Sequence, residues 1–148
     1  MANTIITIEI ATVIKAALVA VVPVIDGKAI TAYSLGVKDV AGATEDKVNL
    51  PCVAISVTEC NPMQYRSVLR SYPGRIEVAT WYPEDKDQIN LLTISQAVSQ
   101  WMAEPSMTLT LAHWDSLVIT EPPGLPIISD RAQVMSWGVE INTRKATA

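Results

Sequence analysis

The sequence contains few of the residues that most catalytic and metal sites require. Its 148 residues include one histidine, two cysteines, six glycines and no phenylalanine. A catalytic triad, a multi-histidine metal site or a zinc cluster is hard to build from this inventory. The glycines are scattered, so no phosphate-binding loop motif occurs. The sequence therefore predicts a protein that is not an enzyme and that needs no cofactor and no metal.

Positive charge is also scarce. Eleven Lys and Arg residues stand against fifteen Asp and Glu residues, which gives a net charge of −4. Because binding to a phosphate backbone depends largely on Lys and Arg, we expect no direct nucleic-acid recognition. Hydrophobic residues make up 49% of the chain, which excludes a wholly disordered protein. The length and the absence of repeats predict a single domain over residues 1–148.

The N-terminal segment 5–22 is apolar enough to suggest a membrane span. However, Glu9 and Lys15 interrupt the run, no positively charged segment precedes it, and no cleavage site follows. We therefore expect no membrane partner and a protein that is made in a cytoplasm. The run predicts a helix that ends before Pro23, although alternating isoleucines also leave open a strand over residues 4–10. A helix that is apolar almost all round needs cover on several sides, which a neighbouring subunit could provide.

Alternating apolar residues predict strands over the rest of the chain, and one change of period predicts a second helix. The helix covers residues 84–104, where Leu91, Ile94, Val98 and Trp101 share a face that should pack on the sheet. The fold class is α+β: a largely antiparallel β-sheet of four or more strands with two main helices packed on one face. The predicted strands are 29–33, 52–60, 75–82, 107–113, 116–120 and 132–143.

The two cysteines lie on one predicted strand. Eight residues of strand place the Cα atoms of Cys52 and Cys60 about 26 Å apart. A disulfide needs Cα atoms within about 7 Å, so we expect two unbridged structural thiols.

Two clusters of charge flank the strand 75–82. The segment 61–74 is predicted to connect the strands 52–60 and 75–82 as the tip of a hairpin. Negative charge at the start of the helix 84–104 is favourable for the helix dipole, so the acidic residues require no metal to explain them. The two clusters are candidates for subunit or tube contacts, and ordinary solvated surface is the alternative. The basic cluster is Arg66, Arg70 and Arg75, and the acidic cluster is Glu84, Asp85 and Asp87.

The layout of the chain resembles a known family. An apolar first helix is followed by LPCVAISV, by RIEVATWY running into PEDKDQINLLTISQAVSQWM, and by the late segment SDRAQVMSWGVEIN. This layout resembles the tail terminator, or tail-completion, proteins of long-tailed bacteriophages. The resemblance implies a homo-hexameric ring at the neck end of the virion tail, which caps the tail tube, ends its polymerisation and joins the head connector. Its partners would be further copies of itself, the tail tube protein and the connector, and it would be made in the host cytoplasm.

Two other functions stay open on the sequence. Stopper and neck subunits of the head–tail connector share the size and general layout of this chain. A small-molecule-binding or enzymatic α+β domain is the alternative of a different class, since sites can occur on any fold. That alternative predicts a deep pocket lined by polar groups such as His113 and Asp115.

Overall fold

A computed structural model describes residues 2–21, 31–34, 50–58, 69–82, 84–103, 114–128 and 132–144. Within these ranges the chain forms two helices and six strands. The helices are α1 (Ala2–Val21) and α2 (Ile89–Ala103). The strands are β1 (Thr31–Ser34), β2 (Cys52–Val57), β3 (Leu69–Trp81), β4 (Trp114–Glu121), β5 (Ile127–Ile128) and β6 (Ala132–Arg144).

The six described strands form one sheet in the order β1-β2-β3-β6-β4, with β5 also pairing with β6. The pairing of β1 with β2 is parallel, and the four other pairings are antiparallel. The α+β class and the largely antiparallel sheet are therefore confirmed. The predicted strand 107–113, together with Cys60, Arg66 and His113, lies outside the described residues.

The N-terminal apolar run is a helix, so the alternative strand over residues 4–10 is wrong. Ile10, Ile14 and Leu18 are buried at helical spacing, whereas Ala16 and Val19 are exposed on the other side. The helix packs on β1 and β2 and also contacts α2. In the part of the chain that the structure describes, no helix is both long and apolar enough to cross a membrane.

Strand β3 begins six residues earlier than the sequence predicts, and it runs through the Pro73–Gly74 pair that indicates a turn. The backbone oxygen of Pro73 accepts a hydrogen bond from the Thr58 amide at 2.9 Å, so this residue's backbone faces the β2 side. The proline nitrogen faces the same side, and the ladder with β2 ends at Gly74. The missing N–H of Pro73 therefore interrupts no ladder bond to β2 and none to β6. At Gly74 a Cβ would lie 2.8 Å from the Ser56 carbonyl oxygen, which explains the glycine.

Helix α2 begins at Ile89, five residues later than predicted. Residues 84–87 form a turn instead, and Gln88 has a φ of 62°. The Gln88 amide donates to the backbone oxygen of Asp85 at 2.9 Å, which closes the turn. The predicted start of the helix at residue 84 is therefore wrong.

The main core lies between one face of the sheet and the two helices, and we call this the helix face. The predicted contacts of α2 are confirmed for Leu91, Ile94 and Val98, which are buried, whereas Trp101 is only half-buried. Trp137 on β6 is the largest fully buried side chain in the described ranges. The sheet contributes Val53, Ile55, Tyr72, Ile76, Val78, Trp137, Val139 and Ile141 to this core.

Candidate functional site

The structure separates the residues of the predicted basic cluster. Arg70 lies within β3 rather than in a hairpin tip, which corrects its predicted location, and Arg75 lies in the middle of the same strand. They are five residues apart on a strand, so their side chains leave opposite faces of the sheet. Arg66 lies outside the described residues. That these arginines act together in one contact stays a prediction. The placement of Arg70 and Arg75 on opposite faces of the sheet does not favour it.

Arg75 makes its contacts across the face of the sheet opposite the helices, which we call the second face. Its guanidinium donates to Glu121 Oε2 at 3.0 Å and to Ser136 Oγ at 2.9 Å. The side chains of Arg75 and Glu121 are 38% and 67% exposed, so solvent screens this ion pair. The contacts join three adjacent strands, β3, β6 and the edge strand β4.

A bulge in β4 brings Glu121 to this position. Ile119 pairs with Val139 and Glu121 with Gly138, so Thr120 is an extra residue in the strand. Gly138 leaves the space that this geometry needs, because a Cβ there would lie 2.8 Å from the Cβ of Glu121. The bulge and the glycine together direct the Glu121 carboxylate towards Arg75.

Asp85 is buried, and its carboxylate accepts hydrogen bonds from four donors. Oδ1 accepts from the Asn90 amide at 3.1 Å, and Oδ2 accepts from the Leu91 amide at 3.0 Å. Oδ2 also accepts from Thr80 Oγ1 at 2.9 Å and from Gln133 Nε2 at 3.1 Å. Asp85 therefore caps α2 from the preceding turn. It is not a surface residue of an acidic patch, which corrects its predicted role.

Gln133 attaches this turn to the sheet. It is fully buried on β6, and its Nε2 also donates to the backbone oxygen of Asp85 at 2.6 Å. Residues 80, 85 and 133 thus form one buried polar cluster at the end of the sheet where β3 finishes and β6 begins. Glu84 and Asp87 remain exposed on the same turn, with the exposed Lys86 between them.

Several large apolar side chains are exposed at this same end of the molecule. Ile128 pairs with Gln133, whose side chain reaches the turn that precedes α2, so β5 lies at the same end of the sheet as that turn. Ile127 and Ile128 are neighbours in a strand, so their side chains leave opposite faces of the sheet. Leu125 is 94% exposed and Ile127 is 72% exposed, which is unusual for large apolar residues. We call the exposed residues Leu125, Ile127 and Ile128 the apolar corner; Ile89 and Leu92 are also exposed, at the start of α2.

The sequence alone did not reveal the apolar corner. Its only signal is that the proline-rich segment 122–128 carries Leu125, Ile127 and Ile128 where polar loop residues are usual. Their exposure depends on how β5 and α2 are placed, which periodicity does not report.

Two titratable groups on the second face are partly or fully shielded from solvent. Cys52 is a free thiol, and burial, with a smaller contribution from the charge of Glu77, raises its pKa to about 12. Burial also raises the pKa of Glu77, while the nearby charge of Arg75 opposes that rise. Cys52 is therefore protonated at neutral pH and poorly suited to act as a nucleophile.

The described residues offer no constellation of metal ligands: within those ranges, no three His, Cys, Asp or Glu side chains lie close enough together to hold an ion. The pocket that an enzymatic function predicts depends on His113, which lies outside these ranges, and on Asp115, whose backbone belongs to β4. A scan against models of known protein families finds no match, and a search of curated protein sequences finds no significant one.

Proposed function

We propose that this chain is a tail terminator subunit of a long-tailed bacteriophage or a related prophage. It assembles with further copies of itself into a hexameric ring at the neck end of the tail. The ring covers the growing end of the tail tube, stops the addition of tube subunits and offers its other side to the head connector. Sequence layout and an α+β fold that agrees with that layout support the proposal, and no chemical step is required of any residue.

The apolar corner is the observation that carries this proposal. Large exposed apolar patches on a folded protein mark surfaces that bind other proteins. Here the exposed Leu125, Ile127 and Ile128 follow an edge strand, and Ile89 and Leu92 are exposed at the start of α2. Helix α2 carries no charged residue between Ile89 and Ala103, so its outward side can be buried without desolvating a charge. Such a surface suits a subunit that functions within an assembly.

A tube-length assay tests the proposal. Purified tail tube protein of the same phage is allowed to polymerise with and without this chain, and tube lengths are measured by electron microscopy. We expect shorter tubes that end in a ring when the chain is present. The variant Leu125→Asp changes a 94% exposed side chain and should leave the fold intact. We expect it to cap tubes poorly, which would show that capping depends on a specific contact.

The same assay separates the alternatives. A stopper or neck subunit would bind the isolated connector but leave the length distribution of the tubes unchanged. Tubes of unchanged length, with no ring at their ends, would overturn the terminator function.

A further inference from the structure

We infer that strand β4 is built so that the β4 of a second copy of this chain cannot pair with it. Strand β4 lies at one end of the strand order, and among the described strands only β6 pairs with it. An edge strand presents unpaired backbone N–H and C=O groups, which can bind the edge of another molecule and start open-ended growth. The inference goes beyond the proposed function and does not depend on it, because it concerns association that the fold prevents.

The sequence of β4 makes this edge prone to such growth. Its segment 116–120, SLVIT, is rich in β-branched residues and carries no charge, which is the composition of aggregation-prone segments. Val118 is 47% exposed and Ile119 is 37% exposed. They are neighbours in the regular part of the strand, so their side chains leave opposite faces of the sheet. Both sides of the edge therefore present apolar surface.

Two bulges limit the regular part of this edge to four residues. Residues 116–119 pair in succession with residues 142–139, whereas Asp115 and Thr120 are extra residues at the two ends. The pairing of β3 with β6 runs through 13 consecutive positions without a shift. Of the described ladders, only the one at the β4 edge is interrupted. Because bulges twist an edge and leave it a poor template, their confinement to β4 favours a protective role.

Acidic residues at both ends of β4 oppose the pairing of two copies. The apolar centres of two β4 strands meet in the antiparallel register that pairs Val118 with itself. In that register Asp115 of one copy is level with Glu121 of the other. Like charges at opposite positions destabilise a strand pair. The Glu121 side chain is 67% exposed even while it bonds to Arg75, so its charge stays at the edge.

A variant that lacks these features tests the inference. The edge variant combines Asp115→Thr, Glu121→Thr and the deletion of Thr120, which removes both acidic residues and the second bulge. Sedimentation should show aggregates larger than any species that the wild type forms. Light scattering at equal concentration should rise at least about tenfold faster than for the wild type.

Three further variants exclude other causes of aggregation. Asp87→Thr with Glu140→Thr removes the same net charge elsewhere and should behave like the wild type. Arg75→Met breaks the ion pair with Glu121 but keeps the acidic edge, so it should also behave like the wild type. Adding Val118→Lys to the edge variant places a charge at the centre of the strand and should suppress the growth. An unfolded edge variant would not be rescued in this way.

Each outcome decides the inference. It is overturned if the edge variant keeps the size distribution of the wild type, if either control variant aggregates as readily, or if Val118→Lys fails to suppress the growth. Growth of the edge variant that Val118→Lys suppresses, with both controls unchanged, supports it. Tube capping by the wild type is unaffected by any of these results, so the terminator function stands or falls separately.

Discussion

The two faces of the sheet are built from different residues of the same strands. On β3, Tyr72, Ile76 and Val78 point to the helix face, where both helices cover them. Their neighbours Arg75 and Glu77 point to the second face, and Arg75 bonds to other polar side chains there. Four buried residues at one end of the second face form only a minor cluster, Leu50, Cys52, Ala79 and Ala132. The stability of the sheet should therefore depend mainly on the helix face, while the second face can change with little loss.

The largest expected effect is at the centre of the helix face. Trp137→Ala removes a side chain that is 1% exposed and leaves a cavity, so unfolding free energy should fall by about 3–5 kcal/mol. Trp101→Ala, the same substitution at a half-buried position, should cost clearly less. Urea denaturation of the two variants checks this. Equal losses of unfolding free energy would show that Trp101 is packed as deeply as Trp137, which its half-buried position does not allow.

The next effect concerns the buried cluster that closes one end of the helix face. Asp85→Ala leaves Thr80 Oγ1, Gln133 Nε2 and two backbone amides without their acceptor. We expect a loss of about 2–3 kcal/mol, because unsatisfied buried donors are costly. Asp87→Ala, on the exposed part of the same turn, should stay within about 0.5 kcal/mol of the wild type in thermal unfolding. Comparable losses at both positions would argue against the buried cap.

A smaller effect is expected at the ion pair of the second face. A double-mutant cycle with Arg75→Met and Glu121→Gln should give a coupling energy of about 0.2–1 kcal/mol, since both side chains are substantially exposed. Raising the salt concentration should reduce this coupling further. A coupling as large as the loss at Trp137 would mean that the second face contributes to stability as strongly as the helix face.

The last prediction concerns how stability depends on pH. Burial raises the pKa of Glu77 above its ordinary value near 4.5, so the folded state binds a proton more tightly than the unfolded state. The resulting stability is present below the unfolded pKa and is lost as pH rises through the folded pKa. Glu77→Gln should therefore be more stable than the wild type at neutral pH, with the gap closing as the solution is acidified.

Unfolding curves at several pH values measure this gap. Arg75→Gln removes the charge that holds the pKa of Glu77 down, so this variant should lose stability more steeply as pH rises. A gap that widens on acidification would contradict the burial of the Glu77 carboxyl.

Much of the fold could be predicted because the spacing of apolar residues indicates which side of a helix or strand is buried. Alternation identified β2 and β6 and the core part of β3, and the spacing of Leu91, Ile94 and Val98 identified the buried face of α2. The start of β3 was missed because Pro73 and Gly74 are turn residues in isolation. Their fit to a strand depends on where the β2 ladder happens to end. That information is tertiary and is not contained in the local pattern.

The candidate site was less predictable for a related reason. Asp85 looks like an exposed helix cap, and only its contact with Gln133, 48 residues further along the chain, shows that it is buried. Arg70 and Arg75 look like one cluster until β3 assigns them to opposite faces. Charged side chains follow no period that reveals their neighbours, so their partners had to come from the three-dimensional arrangement.

Thr120, the extra residue in β4, shifts by one residue the alternation of side chains between the two faces of the sheet. Another shift lies between Trp114 and Ser116, so the two together leave the ends of β4 in the phase they would have without either. Without Thr120, regular alternation from Ile119 would still place Glu121 opposite Gly138 on the same face, so deleting this residue removes the bulge and keeps the register. A residue deleted between the two shifts would instead turn the following side chains to the other face of the sheet. The length of this edge strand can therefore change by one residue at either shift more easily than at a position between them.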